Sequence, residues 1–412
     1  MSRTIAILAA LDTKGADFAF LKAEIARCGC TPLVIDFGVL GEPAFMPDIR
    51  REEVAAAAGV NLEMLVQQAD RGAAMAAMTD GLTALVRRLH DARRFDGIIS
   101  MGGGGGTSVA TAAMRALPIG LPKLMVSTVA AGDVSTFIGL SDIVMMPSIL
   151  DVSGVNRISR RIYAQAASAI CAMAGVVMDE AADRPVIAAT MFGNTTRAIS
   201  HAREILEAAG YEVLVFHATG TGGRQMEALI RDGLISAVLD LTTTEWADQL
   251  LGGVLSAGEN RLDAAGAVGI PQVIAPGCLD MCNFWAPDTI PERYAGRTFY
   301  PWNPNVTLMR TTAAETAELG AIFARKLNAA RGSVAVYIPR GGWSEIDLPG
   351  KPFHAPETIE AFTTALRRDL RGDIPVVEMP QDINDPAFAS AAADALLRMI
   401  SARQPQHSPR NQ

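Results

Sequence analysis

The sequence predicts an α/β fold of two Rossmann-like parallel-sheet domains with flanking helices, and three observations predict it. Short apolar runs rich in β-formers alternate with segments of helical spacing, the pattern of strands joined by helical crossovers. The first strand–helix–strand unit recurs, with one and the same interval separating Ile5 from Val34 and Val186 from Val215. Of the 412 residues 50% are hydrophobic but only 6% are aromatic, so small aliphatic side chains fill the interior, as suits helices packed closely on both faces of a sheet. A chain of this length supports two substantial cores.

In chain order, residues 4–10 (TIAILAA) read as a strand, 11–15 (LDTKG) as a turn, 18–29 as a helix and 31–38 (TPLVIDFG) as a second strand. A right-handed crossover sets these strands parallel in one sheet. Residues 38–60 read as a polar, flexible insertion, followed by helical segments to Leu89. Strand 95–101, helix 108–117 and strands 122–128 and 142–148 come next, and an Ala/Met-rich helix over 158–178 closes the half. The weakly structured stretch 179–184 divides domain 1–180 from domain 181–405, with 406–412 as a mobile tail.

The second domain opens with strand 185–191, a loop to Thr196, helix 198–210 and a strand leading to Gly220. Further strands are expected at 235–241, 271–277, 305–310, 333–339 and 375–380, with helices at 225–231, 312–328, 356–368 and 386–401. The alternation predicts that these strands share one open parallel sheet.

Composition excludes several classes. With 36 basic against 44 acidic residues the net charge is -8, and no Lys/Arg cluster offers the concentrated positive charge that nucleic-acid backbones require. The apolar run at the start is interrupted by Asp12, Lys14 and Asp17, too soon for a membrane span or a signal peptide. The 5 cysteines, Cys28, Cys30, Cys171, Cys278 and Cys282, are odd in number and scattered, unlike a secreted disulfide framework. Together these features predict a cytoplasmic protein without membrane or nucleic-acid partners. Neither Cys28-x-Cys30 nor Cys278-x3-Cys282 has a His/Cys complement in its own segment, so no metal site is expected.

The sharpest local feature is Gly102, Gly103, Gly104, Gly105, Gly106, Thr107 and Ser108, joining a strand to a helix. Consecutive glycines let backbone approach a ligand, and a helix N-terminus presents unpaired N–H groups to an anion. Thr107 or Ser108 is expected to cap the helix or offer a hydroxyl. The run lacks the Gly-Lys-Ser/Thr ending of a P-loop and the spaced glycines of a dinucleotide fingerprint. Asp12 and Lys14 follow the first strand, which puts them at the same sheet edge: Lys14 is a candidate for phosphate, and Asp12 for Mg²⁺ or a ribose hydroxyl. Thr128 and Asp133 follow the strand carrying Ser127 and complete the expected cofactor pocket.

In the second domain Asn194, Thr195 and Thr196 occupy the position equivalent to the first post-strand loop. Gly220, Thr221, Gly222 and Gly223 form another helix entrance with free N–H groups, and Glu245, Arg340 and Gly341 extend the same edge. These are the candidate substrate-binding residues. No His stands at a spacing that identifies a base for Cys278, which reads as inert core. His217 is a lesser pocket candidate.

At IAILAALDTKG, MGGGGGTS and AATMFGNTT, with GGWSEID near the far end, the chain resembles a largely uncharacterised family related to the N-terminal ATP-binding domain of the tomato mosaic virus resistance protein. That resemblance covers nearly the whole chain and implies two Rossmann-like subdomains, ATP association and homodimerisation. It implies no catalytic reaction. Three functions follow as expectations. The first is a nucleotide-binding module in which ATP controls assembly or a small-molecule site. The second is an ATP-dependent enzyme acting on a small metabolite. The third is a nucleotide-independent enzyme on a phosphorylated or carboxylated metabolite in an interdomain cleft.

Overall fold

The computed structural model describes residues 2–68, 70–177 and 184–403. The chain divides into two compact units, Met1–Glu180 and Ala181–Gln412. The tail at 406–412 and most of the proposed boundary stretch lie outside the described residues.

Unit 1 runs β1 (Thr4–Ala9), α1 (Leu11–Arg27), β2 (Thr31–Asp36), α2 (Arg51–Ala57), α3 (Leu62–Gln68), α4 (Arg71–Asp91), β3 (Gly97–Gly102), α5 (Gly104–Arg115), β4 (Lys123–Ser127), α6 (Ser135–Ile138), β5 (Val144–Pro147) and α7 (Ser159–Ala174). Its five strands lie in the order β2-β1-β3-β4-β5, all parallel. Strand alternation makes the two faces. Ile5, Ile7 and Ala9 pack with Phe18, Leu21 and Ile25 of α1 and Tyr163 and Ile170 of α7. Ala6 and Leu8 point the other way, onto Val54 of α2, Leu82 and Val86 of α4 and Val109 of α5.

Two local expectations are corrected in this unit. Residues 11–15 are the first turn of α1 rather than a free turn, with a break at Lys14 (φ -129, ψ 25). Gly15 is needed there because a Cβ would lie 2.1 Å from the Ala44 side chain. The insertion at 38–60 is tied down: Val34 donates its N–H to Asp48 at 2.8 Å, Ile49 bridges to Ile35, and α2 packs Val54 into the core.

Unit 2 runs β6 (Val186–Met191), α8 (Thr196–Ala208), β7 (Glu212–His217), α9 (Thr221–Arg231), β8 (Ala237–Thr242), α10 (Glu245–Leu251), α11 (Ala264–Val268), β9 (Gln272–Gly277), β10 (Met281–Phe284), β11 (Phe299–Asn303), β12 (Val306–Arg310), α12 (Ala313–Asn328), β13 (Val334–Pro339), α13 (Pro356–Asp369), β14 (Val376–Met379) and α14 (Pro386–Arg403). Its main sheet is parallel, ordered β14-β13-β9-β8-β6-β7. One face packs on α8 and α14 through Ala198, Ile199, Phe388 and Leu396, and the other on α9 through Met226 and Ile230 and on α12 and α13 through Phe323 and Phe362.

The expected strand at 305–310 forms, but outside the parallel sheet. As β12 it pairs antiparallel with both β10 and β11 in a separate three-stranded sheet. The reason is a hairpin at Asn303-Pro304-Asn305, where the Asn303 side chain accepts the Asn305 N–H at 2.8 Å. Counted from its first strand, each parallel sheet has the same order, 2-1-3-4-5, extended by one strand in unit 2. In open sheets of this kind the crevice for a ligand opens where the strand order reverses. That point lies between β1 and β3 in unit 1 and between β6 and β8 in unit 2.

Candidate functional site

At the carboxyl ends of β1 and β3 lies a cavity of about 320 Å³. It brings together Asp12, Lys14, Gly103, Gly104, Gly105 and Gly106 from the sequence reading, and Arg71, Phe37, Leu40 and Met75, which that reading missed. The cavity therefore stands at the strand-order reversal of unit 1.

Its polar floor is the start of α5. Gly103 is the N-cap, with no side-chain cap, and the first helical bond is Thr107 N–H to Gly103 C=O at 2.9 Å. The N–H groups of Gly104, Gly105 and Gly106 precede that bond and find no acceptor among the described residues. They carry the positive end of a twelve-residue helix into the cavity. A Cβ on Gly104 would meet nothing within 4 Å, so the bareness there leaves room for a ligand rather than for packing.

Charged groups ring this floor. Arg71, exposed at the start of α4, makes no ion pair among the described residues. Lys14 donates its ammonium to the Val152 carbonyl. The Asp12 carboxylate accepts the Leu40 N–H at 2.6 Å through Oδ2, while its buried Oδ1 has no partner among the described residues. Phe37, Val39, Leu40, Met75 and Met101 give the cavity an apolar wall. At the end of β2, Asp36 is buried and accepts N–H groups from Leu11 and Gly38. Burial raises its carboxyl above the ordinary range, although those two bonds work in the opposite direction.

Other expected members lie elsewhere. Thr107 is fully buried, and its hydroxyl shares a 2.6 Å hydrogen bond with Ser127; it neither caps α5 nor faces the cavity. The physical reason is that the helix begins at Gly104, which turns the fourth residue inward. Gly102 is buried as the last residue of β3, and Ser108 is exposed on α5. Thr128 lines a different hollow, of about 380 Å³, beside Ser148 and Ile149. Asp133 is exposed and accepts the Ser135 N–H at 2.9 Å, which lowers its carboxyl from the usual value. Among the described residues no three His, Cys, Asp or Glu side chains are arranged to hold a metal ion. Mg²⁺ would find only Asp12 as an anionic protein ligand at this cavity.

The equivalent edge of unit 2 is occupied by the protein itself. The Gly220 and Gly223 N–H groups, expected to be free, donate to Glu245 Oε1 at 2.7 and 3.0 Å. Glu245 is buried and also accepts Arg261 Nε at 2.7 Å, while Arg261 holds Asp240. A Cβ at Gly222 would lie 2.0 Å from the His217 carbonyl, and one at Gly223 2.1 Å from Glu245 Oε2, so these glycines serve close packing. Thr221 stays exposed at the start of α9. Asn194 and Thr195 are fully buried: the Asn194 amide reaches Met281 Sδ at 3.9 Å, and the Thr195 hydroxyl pairs with Thr242 at 2.8 Å. Thr196 returns its hydroxyl to the Gly193 carbonyl at 3.0 Å.

The antiparallel sheet covers this edge, since Met281 contacts Asn194, Asn283 lies 3.4 Å from Thr244, and a Cβ on Gly193 would meet Trp302 at 3.6 Å. Arg340 is engaged by Glu360 at 2.6 Å and Glu378 at 3.3 Å instead of standing free for an anion. Gly341 donates its N–H to Gln381, with no space for a Cβ. His217 stacks on Phe192, ring centroids 5.5 Å apart. Cys278 is buried with φ 58, and burial, then Asp280 and Asp347, push its thiol well above the ordinary value. No helix among the described residues is long and apolar enough to cross a membrane.

Comparison with known proteins follows the same two units. Residues 3–179 match the N-terminal domain of the uncharacterised protein family UPF0261, and residues 184–400 match its C-terminal domain. A UPF0261 protein of Clostridium tetani is 48% identical over 402 residues, covering 97% of this chain and 100% of that protein. UPF0261 protein RA0729 of Rhizobium meliloti is 45% identical, covering 95% of this chain and 98% of its own length. The ToMV resistance protein Tm-1(GCR237) of Solanum lycopersicum is 41% identical over 337 residues, 80% of this chain but 45% of the tomato protein. The chain belongs to the UPF0261 family.

Proposed function

We propose that unit 1 binds a small phosphorylated ligand, ATP or a related nucleotide, in the cavity between the ends of β1 and β3. One observation carries the reading: the acceptor-free N–H groups of Gly104, Gly105 and Gly106 open into that cavity beside Arg71 and opposite an apolar wall. The N–H groups and Arg71 suit a phosphate, and Phe37, Leu40 and Met75 suit the flat apolar face of a base. Asp12, with one carboxylate oxygen unpartnered among the described residues, suits a ribose hydroxyl or a phosphate-bound Mg²⁺.

Binding is the whole of this reading. The groups around the cavity position and neutralise phosphate, and none of them forms a nucleophile–base pair. Homodimerisation and a cytoplasmic location accompany the reading as proposals. Calorimetric titration of the ligand-stripped chain with ATP and Mg²⁺ tests it: saturable heat at one site per chain is expected, and folded protein giving no heat at two temperatures overturns it.

A further inference from the structure

Three of the five cysteines come together where α1 ends against α7. The Cys28 N–H donates to the Glu24 carbonyl at 3.0 Å, closing α1, and Gly29 then takes the left-handed conformation (φ 83). That turn folds the chain back, so that the Cys30 N–H meets the Ile25 carbonyl at 3.3 Å and Cys30 packs into the core cluster that contains Cys171. Cys28 Sγ lies 3.7 Å from Ser168 Oγ, and Ser168 and Cys171 stand three residues apart on one face of α7. The seam itself is fixed by the Tyr163 hydroxyl donating to Asp17 at 3.1 Å.

Access differs among the three. Cys28 is exposed, Cys30 intermediate and Cys171 buried, and all are free thiols. We propose that this trio is a thiol–disulfide exchange site for low-molecular-weight disulfides, with Cys28 as the entry thiol and Cys171 as the resolving thiol. Cys28, as thiolate, attacks one sulfur of the small disulfide; a Cys28 mixed disulfide forms and one small thiolate leaves. Cys171 then loses its proton and attacks Cys28 Sγ. The Cys28–Cys171 bond forms, a second small thiol is released, and the small disulfide has been reduced by the two electrons the protein gave up.

Burial, followed by the nearness of Cys30 and Cys28, holds the Cys171 proton on, so the second step is the slow one and quickens with pH. The site is independent of the ligand cavity, because α1 begins at the cavity and ends at Cys28, seventeen residues and about 25 Å away along its axis.

The test treats the native full-length chain with oxidised glutathione, quenches it with an alkylating reagent and maps peptides without reduction. Loss of two hydrogens with the Cys28 and Cys171 peptides joined is expected. Cys171→Ser and the more conservative Cys171→Ala should both stop at a glutathione adduct on Cys28, and Cys28→Ser, which lacks the entry thiol, should form no bridge and take up glutathione at least about tenfold more slowly. A wild-type chain that takes up no glutathione, or keeps the adduct with Cys171 still alkylatable, overturns the proposal. So does a bridge between any other pair, Cys30–Cys171 included, or glutathione uptake as fast in Cys28→Ser as in the wild type.

Discussion

The Glu245 carboxylate accepts the Gly220 N–H at 2.7 Å, so the glycine-rich helix entrance of unit 2 already holds an anion, and that anion belongs to the protein. In unit 1 the glycine-rich helix entrance follows the third strand instead of the second, and its N–H groups at Gly104, Gly105 and Gly106 have no such partner among the described residues. Two sheets of the same strand order thus treat their crevices differently: one is plugged by a buried carboxylate and covered by an antiparallel sheet, the other is open.

Removing the plug should damage the fold and not the ligand site. Glu245→Ala leaves buried Arg261 with one fewer carboxylate and strips the acceptor from two glycine N–H groups. Loss of one partner from a buried ion pair costs about 3–5 kcal/mol. Chemical denaturation should show unit 2 weakened by that order, while nucleotide affinity measured on the folded chain stays at the wild-type value.

Gly104→Ala separates stability from binding in the opposite sense. The new methyl meets no protein atom within 4 Å and sits in the first turn of a helix, where Ala is favoured over Gly by about 0.5–1 kcal/mol. Thermal unfolding should hold or rise slightly. Titration should show ATP affinity falling by about tenfold or more, about 1.4 kcal/mol, because the methyl occupies the phosphate approach.

Arg71→Ala removes an exposed cation that makes no ion pair among the described residues. Stability should move by less than about 0.5 kcal/mol. Loss of a charge-assisted bond to phosphate is worth about 1.5–3 kcal/mol, so affinity should fall by about ten- to a hundredfold and become less sensitive to salt. Equal affinity in the variant, measured by the same titration, would remove Arg71 from the site.

Asp248 gives unit 2 a distinctive pH response. It is fully buried, and burial pushes its carboxyl from an ordinary 3.8 up to about 7, against the hydrogen bonds from Asn283 and Leu255. The folded chain therefore keeps a proton between these pH values that the unfolded chain has released. Native binds more protons there, so stability falls as pH rises from about 4 to about 7 and does not recover above it. Each pH unit of separation carries about 1.4 kcal/mol. Asp248→Asn should reduce this dependence in thermal melts run near pH 5 and near pH 8, the remainder coming from Asp347, whose carboxyl burial also raises to about 7. Asn283, whose Oδ1 has no partner among the described residues, can rotate its amide to accept from the new one. An unchanged slope would remove Asp248 as its source.

Much of this was legible in the residues. The continuous apolar runs at Ile5–Leu8 and Ile187–Ala189, set between helical segments, announce the parallel sheets, because strands covered on both faces are apolar at nearly every position. The run of glycines after Met101 announced the cavity for a similar reason: consecutive glycines in a helix start have little purpose except close approach.

What escaped was what depends on contacts distant in sequence. Arg71 reaches the cavity from a helix that precedes β3, and no local pattern ties it to Gly105. Thr107 looked like a cap because threonine caps helices, yet the helix starts earlier and carries it into the core against Ser127. The sequence places Glu245 among the ligand contacts, whereas its actual partners, Gly220 and Arg261, lie on different segments. Strand 305–310 is followed by helix 312–328, which suits a parallel strand, whereas its antiparallel pairing with β10 depends on a segment distant in sequence.

Hydrogen exchange of the full chain, with and without saturating ATP and Mg²⁺, tests the central claim most directly. The account predicts slowed exchange in peptides spanning Gly103, Gly104, Gly105 and Gly106, where amides that lack an acceptor gain one, with unit 2 peptides around Gly220 unchanged. Protection confined to unit 2, or no protection in a folded chain, would contradict it.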